Sequence, residues 1–314
     1  MRALITGVAG QDGTLLSAAL LDAGWDIYGS RLDSETLGTR HSLLERNVLV
    51  LDVTDSVAVA GVISQIKPQV IFHFAGITSV ALSIQEPELT RAVNVGGTLN
   101  ILNAMANNGL DAHLIHAAST EIFDTESGNI TENSKIKPRS PYGESKAEAY
   151  LLCQEYRSQG IRATNAILAN HESYLRSTDF VTGKIANGVA QIKAGLSSTL
   201  TLGNLDVSKD WSSATDIVRG LKLIAELKFV GDVILASGKS TSLITILEAA
   251  FTYVGISDWQ KYVISDSDLM RPNESKSVRV DPSFAFQELG WQATSQVHTW
   301  VGEMVQFHLD QITN

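Results

Sequence analysis

Cysteine is almost absent from this chain: Cys153 is the one thiol in 314 residues. No intrachain disulfide can form, and nothing in the composition calls for an oxidising compartment. The thiol stands inside an apolar helical run, which predicts a buried core side chain. Long hydrophobic runs are missing too. No stretch of about 18 apolar residues occurs, so a membrane-spanning helix is not expected. Residues 1–7 enter a short apolar run too brief for a secretory leader, and the expected location is cytoplasmic. Positive charge is in deficit. A formal net charge of -10 argues against nucleic acid or an anionic membrane as the main partner, while leaving room for a local basic pocket that takes phosphates. The seven histidines do not join acidic residues at ligand spacing, so no metal is expected. Internal repeats, low-complexity tracts and charged tails are absent as well.

With 44% hydrophobic and 18% charged residues, the chain can bury a sizeable core as one large domain or two small ones. Residues 3–6 read as a short apolar strand, followed by Gly7-Val8-Ala9-Gly10-Gln11-Asp12-Gly13 and then by Leu15, Leu16, Ala19, Leu20 and Ala23 at helical spacing. Strand, glycine loop and helix in that order suit a dinucleotide, because glycine lets the backbone approach a pyrophosphate and the helix N-terminus offers free N–H groups. The spacing is GxxGxxG rather than GxGxxG. Plain turn chemistry is the competing explanation. Gly7, Gly10, Gln11, Asp12 and Gly13 are the candidate contacts.

A second strand over residues 26–29 ends at Ser30-Arg31. An acidic residue there would grip a ribose 2'-hydroxyl, whereas an arginine accommodates a 2'-phosphate. Arg31 therefore favours NADP over NAD, with Asp33 as a complication and a solvated arginine as the alternative. Arg40 is a possible second phosphate contact. Strands at 48–51 and 69–74 are continuous apolar runs, as parallel strands covered on both faces should be, and the latter leads to Ala75 beneath a cofactor. A long helix is predicted over 87–106, with the small residues of Asn94-Val95-Gly96-Gly97-Thr98 allowing close approach to the sheet.

A fifth strand, 113–118, delivers Ser119 and Glu121 at its carboxyl end, where ligands of open α/β sheets bind. Tyr142 and Lys146 follow, four apart at the start of a helical pattern and so on one face. A lysine ammonium there is expected to lower the phenol's pKa and make it a general base. A Tyr and a Lys at that spacing on a plain helix surface are the competing account. After a sixth strand at 163–168 the alternation loosens into a polar, turn-rich stretch through 170–211 that is basic at Arg176, Lys184 and Lys209. Helices near 243–253 and 297–312 follow, and a strand near 232–236 is expected to return to the sheet.

The predicted fold class is α/β: a Rossmann-type doubly wound parallel sheet with a smaller C-terminal substrate-binding lobe. Residues 1–168, with return segments near 205–240, would form the cofactor domain, and 169–314 mainly the substrate lobe, interleaved with the first.

Several motifs together point to one family. The glycine loop, Ser140-Pro141-Tyr142, Asn170-His171-Glu172-Ser173, Phe180-Val181-Thr182 and Leu202-Gly203-Asn204-Leu205-Asp206 give the chain a resemblance, over nearly its whole length, to the GDP-mannose 4,6-dehydratase family of extended short-chain dehydrogenase/reductases. The resemblance implies tightly held NADP, a GDP-sugar substrate and assembly as a homodimer or homotetramer, often through paired long helices such as 87–106 and 142–160. It implies that Asp52 and Val53 border the adenine. Tyr142, with Lys146 and Ser119, would take the proton of the sugar 4-hydroxyl, and Glu121 would remove the C5 proton as the 6-hydroxyl leaves as water. Asn170, Thr182, Lys184, Lys209 and Arg271 would hold the GDP-sugar, each with a solvated lysine or structural asparagine as the alternative. His171 is expected to be a hydrogen-bonded structural histidine.

The chain also departs from the family pattern. Phe123-Asp124 replaces Tyr-Gly, Gly183 stands where arginine is common, Lys209 replaces the arginine before Asp-Trp, and Ile77-Thr78-Ser79 differs from Gln-Ser-His. These departures leave open an NADPH-dependent nucleotide-sugar 4-reductase or epimerase, and a non-enzymatic dinucleotide sensor of the same fold.

Overall fold

The computed structural model describes residues 1–35, 37, 47–125, 128–267 and 278–313. It opens with β1 (Arg2–Thr6), α1 (Gln11–Asp22), β2 (Asp26–Arg31), β3 (Val48–Val50), α2 (Ser56–Ile66) and β4 (Val70–His73). Then come α3 (Val80–Gln85), α4 (Pro87–Arg91), α5 (Gly97–Asn107), β5 (His113–Ser119), the short β6 (Asn129–Ile130), α6 (Pro141–Ser158) and β7 (Arg162–Leu168). The later elements are β8 (Asn170–Glu172), α7 (Val181–Lys193), β9 (Leu200–Leu202), β10 (Ser208–Ser213), α8 (Ala214–Glu226), β11 (Asp232–Leu235) and β12 (Ser240–Ser242). The last are α9 (Leu243–Tyr253), β13 (Val263–Ser265), β14 (Arg279–Val280), α10 (Ser283–Leu289) and α11 (Val297–Thr313).

Seven strands form the main sheet in the order β11-β7-β5-β4-β1-β2-β3, and every pairing in it is parallel. This is the doubly wound parallel sheet expected from the apolar runs. Strands β4 and β5 are buried at every residue, because helices cover both faces. On one side Leu16, Leu20, Ile217, Leu221 and Trp291 pack against Ile5, Phe72 and Ile115. On the other, Val59, Ile63, Ile101, Leu102 and Cys153 pack against Leu4, Ile71 and Leu114. Cys153 is buried, as its helical surroundings predict.

The smaller lobe has its own core of Val189, Leu200, Trp211, Leu247, Phe251, Trp300 and Met304. Beside it β10 lies between β8 and β12 in a three-stranded sheet. The chain does not divide cleanly between the lobes. Helix α8 and β11 return to the main sheet, as do α10 and Trp291. Among the described residues, no helix is long and apolar enough to cross a membrane.

Two elements differ from the sequence expectation. The predicted long helix over 87–106 is interrupted by a π-helical turn at Ala92–Gly96. There the Asn94 side chain accepts from Ile77 N at 2.8 Å and donates to Ile77 O at 3.0 Å and Ser145 Oγ at 2.9 Å. A π-turn of this kind re-aims a side chain toward a site. The segment after Phe180, expected to be turn-rich, instead opens α7, whose Ile185, Ala186, Val189 and Ala190 recur at helical spacing and are buried.

Candidate active site

A cleft of about 350 Å³ opens at the carboxyl ends of β1, β4 and β5, between the main sheet and the smaller lobe. One wall is the glycine loop. Gly7 has φ +70°, and a Cβ there would fall 2.7 Å from Ala75 N, so only glycine lets β1 end this close to the strand beside it. Helix α1 then begins with no side chain capping its N-terminus, leaving N–H groups of its first turn open toward the cleft. Gly7, Gly10, Gln11, Asp12, Gly13 and Ala75 all line the cleft.

The opposite wall carries the reactive side chains. Ser119 ends β5, and its Oγ accepts from Glu121 N at 3.2 Å, capping the short helical turn that holds Glu121. Ser140 caps α6 by accepting from Gly143 N at 3.1 Å, with Pro141 at the first helical position. That start places Tyr142 and Lys146 one turn apart on the cleft side, and Tyr142 N is fixed by donating to Ser83 Oγ at 3.1 Å. The Lys146 ammonium donates to Ala117 O at 2.8 Å, and burial lowers its pKa to about 8.

Spacing alone predicts that Lys146 lowers the Tyr142 pKa, and the structure corrects this. Burial pushes the phenol up to about 12, and the Glu121 charge adds to the rise. Ser119 opposes it most, and the Arg176 charge opposes it too. With its ammonium turned to Ala117 O, Lys146 does not set the phenol's proton affinity in this geometry.

Asn170 and Lys209 also line the cleft. Lys209 Nζ lies 3.6 Å from Glu121 Oε1, an ion pair across the cleft. Other sequence-predicted residues lie elsewhere. Thr182 is buried, and its hydroxyl donates to Glu172 Oε2 at 2.8 Å, so it braces the wall from behind. Lys184, half-buried on α7, is not on the cleft wall. Asp52 is exposed and accepts from Thr54 N at 2.9 Å and Thr54 Oγ1 at 2.8 Å, while Val53 is buried against Gly97. Arg31, at the end of β2, donates from Nη1 to the carbonyls of Leu32, Asp33 and Glu35. Its Nε is buried with no hydrogen-bond partner among the described residues. Arg40 and Arg271 lie outside the described residues.

Spacing gave no sign of a network joining the glycine loop to the smaller lobe. His171 Nδ1 donates to Ala169 O at 2.7 Å, and its Nε2 lies 3.0 Å from both carboxylate oxygens of Asp12. Gln11 donates to His171 O at 3.1 Å and accepts from Ser173 Oγ at 2.8 Å. Arg176 donates to Glu172 Oε2 at 2.7 Å and to His171 O. Burial favours the neutral forms of Asp12 and His171, but their mutual attraction outweighs it. Asp12 is held below the usual carboxylate range and His171 above the usual imidazole range. The one available signal was that His171 lies inside a motif with two polar neighbours.

The model of the family described as GDP-mannose 4,6 dehydratase matches residues 4–304. A GDP-mannose 4,6-dehydratase of Sinorhizobium fredii (strain HH103) is 34% identical over 341 residues, covering 99% of this chain and 97% of that one. GDP-mannose 4,6 dehydratase 2 of Arabidopsis thaliana is 32% identical, covering 98% of this chain and 87% of the relative. Among solved structures, RMD from Pseudomonas aeruginosa complexed with NADPH superimposes with a TM-score of 0.85 at 22% identity, covering 99% of both chains. UDP-glucose 4-epimerase from Thermotoga maritima with UDP-glucose gives 0.86 at 20% identity, covering 99% of this chain and 100% of that one. These two likenesses establish the shared Rossmann-type fold.

Proposed function

The chain belongs to the GDP-mannose 4,6-dehydratase family, and from that premise we propose that it is a lyase converting GDP-mannose to GDP-4-dehydro-6-deoxymannose. The observation that carries the proposal is the convergence of Ser119, Glu121, Tyr142 and Lys146 on one cleft whose facing wall is a glycine loop at a helix N-terminus. A reductase or epimerase needs a tyrosine and a lysine, but it does not need a carboxylate aimed at C5.

The residues present fit a nicotinamide dinucleotide. Gly7 and Gly13 leave the backbone bare where a Cβ would collide, the α1 N-terminus suits a pyrophosphate, and the buried Arg31 Nε, which has no hydrogen-bond partner among the described residues, supports a 2'-phosphate, hence NADP. When bound, that cofactor supplies a hydride acceptor for C4 and a hydride donor for C6, ending as it began. Tyr142 takes the proton of the sugar 4-hydroxyl as a phenolate, the form that the positive charge of an oxidised nicotinamide would favour against the burial that pushes the phenol up to about 12. The 4-ketone that results acidifies the C5 proton, which Glu121 removes and hands to the departing 6-hydroxyl so that it leaves as water, and a proton from solvent returns to C5 to complete the product. Lys146 sits as a buried donor on Ala117 O and fixes the floor beneath Tyr142. Asn170 and Lys209 hold the GDP-sugar, with Lys209 meeting phosphate oxygens.

The partner is thus a soluble nucleotide sugar in a cytoplasmic setting. Ile84, Leu89 and Leu151, exposed on α3, α4 and α6, support assembly as a homodimer or homotetramer. Incubating the purified protein with GDP-mannose and following the product mass tests the function. Loss of one water without net cofactor consumption is expected, and an unchanged mass would refute it.

A further inference from the structure

Lys209 and Asp210 are adjacent on β10 and so project to opposite sides of the strand. Asp210 is buried and accepts from Ser237 N at 2.8 Å and Gly238 N at 2.7 Å. With Asp210 fixed there, Lys209 is turned toward the cleft, where it meets Glu121 at 3.6 Å. The two side chains stand at the junction of the main cleft and a smaller cavity behind it, walling both together with Asn170.

The other cations on the cleft wall are held by groups that take no part in the proposed chemistry. Lys146 donates to Ala117 O, Arg176 is bound by Glu172 and by His171 O, and His171 by Asp12. Lys209 differs, because its counter-charge is the carboxylate proposed to remove the C5 proton. At 36% exposure the Glu121 side chain is partly solvated, so the pair is weak enough to exchange for a better partner. A diphosphate is such a partner, with about two negative charges and several acceptor oxygens in place of one carboxylate.

We propose that Lys209 is a substrate-released clamp on Glu121: it holds the carboxylate until a nucleoside diphosphate draws it away, and only then is Glu121 free to accept a proton. The clamp rests on the nucleotide-sugar reading of this cleft. It makes base release depend on a seated diphosphate, and it makes Lys209 a positioning residue as well as a phosphate contact. Coupling is reciprocal, so Glu121 must weaken diphosphate binding by competing for Lys209.

That reciprocity is testable without turnover. GDP binding is measured by calorimetry on the protein as purified with its nicotinamide, for the wild type, Glu121→Gln, Lys209→Gln and the double variant, each checked for a folded near-ultraviolet circular dichroism spectrum. Glu121→Gln is expected to tighten GDP binding roughly three- to tenfold, and to change nothing when Lys209→Gln is already present. Equal tightening in both backgrounds would mean long-range repulsion and would overturn the clamp, as would no tightening at all. If GDP binds to none of the four, the nucleotide reading falls and the clamp with it. Should Lys209→Gln fail to fold, Lys209→Arg takes its place: a retained cation should retain the coupling, and its loss would contradict the clamp.

Discussion

Asp12 and His171, 159 positions apart, are joined by two contacts of 3.0 Å that tie the first turn after the glycine loop to the first strand of the smaller lobe. The His171 pKa is raised above 6.5, so its stabilising contribution is complete below pH 6.5 and is lost as the pH climbs through the raised value. The Asp12 pKa is lowered from 3.8, so its contribution is complete above pH 3.8 and is lost as the pH falls through the lowered value. The pair is at full strength between those limits. Asp12→Asn should therefore cost about 3 kcal/mol of unfolding free energy at pH 6, and visibly less at pH 9. Urea unfolding of both proteins at the two pH values measures the difference, and an equal gap at both would separate the pair from the pH dependence.

Gly183 stands where the backbone leaves no room for a side chain. A Cβ built there would lie 2.3 Å from Ser177 O and 2.8 Å from Arg176 O. The first turn of α7 is pressed against that backbone, so an arginine cannot enter without moving it. Gly183→Ala should lower stability by about 1 to 3 kcal/mol, and Gly183→Arg by more. Thermal unfolding checks the order of the two.

Glu121→Gln keeps the shape of the carboxylate while removing its ability to take a proton. Turnover should fall at least about a hundredfold. Oxidation at C4 should persist, seen as a reduced-nicotinamide absorbance that appears on mixing with GDP-mannose and does not decay. A variant that still releases water at the wild-type rate would move the base elsewhere.

On the proposed reading, Arg31 sets the choice of dinucleotide. Replacing it by alanine should weaken NADP binding roughly tenfold or more, the scale of one charge-assisted hydrogen bond, and leave NAD binding nearly unchanged. Competition between the two dinucleotides for refolded, cofactor-free protein reads this directly.

Much of the fold was legible because its parallel strands, buried on both faces, appear as unbroken apolar runs. The helix of residues 243–253 was legible because its periodicity is clean. Helix α8 was missed although its buried Ile217, Val218, Leu221 and Ile224 follow helical spacing; it begins just after the polar stretch that ends at residue 211 and precedes the strand near 232–236. The π-turn around Asn94 depends on a bond to Ile77 and Ser145 that no local pattern announces. At the site, short-range spacing correctly put Tyr142 and Lys146 on one helical face. It misjudged the phenol, because the direction of the Lys146 ammonium is decided by Ala117, 29 positions earlier. Thr182 illustrates the same limit, since its motif gives no hint that the hydroxyl turns inward to Glu172.

The central claim is an internal hydride transfer coupled to loss of water. GDP-mannose carrying deuterium at C4 tests it most directly, with the product examined by mass spectrometry and proton NMR. The account predicts a product lighter by one water, with the deuterium now on C6 and the cofactor unchanged in oxidation state. Deuterium left at C4, or lost to a stoichiometrically reduced cofactor, would contradict it.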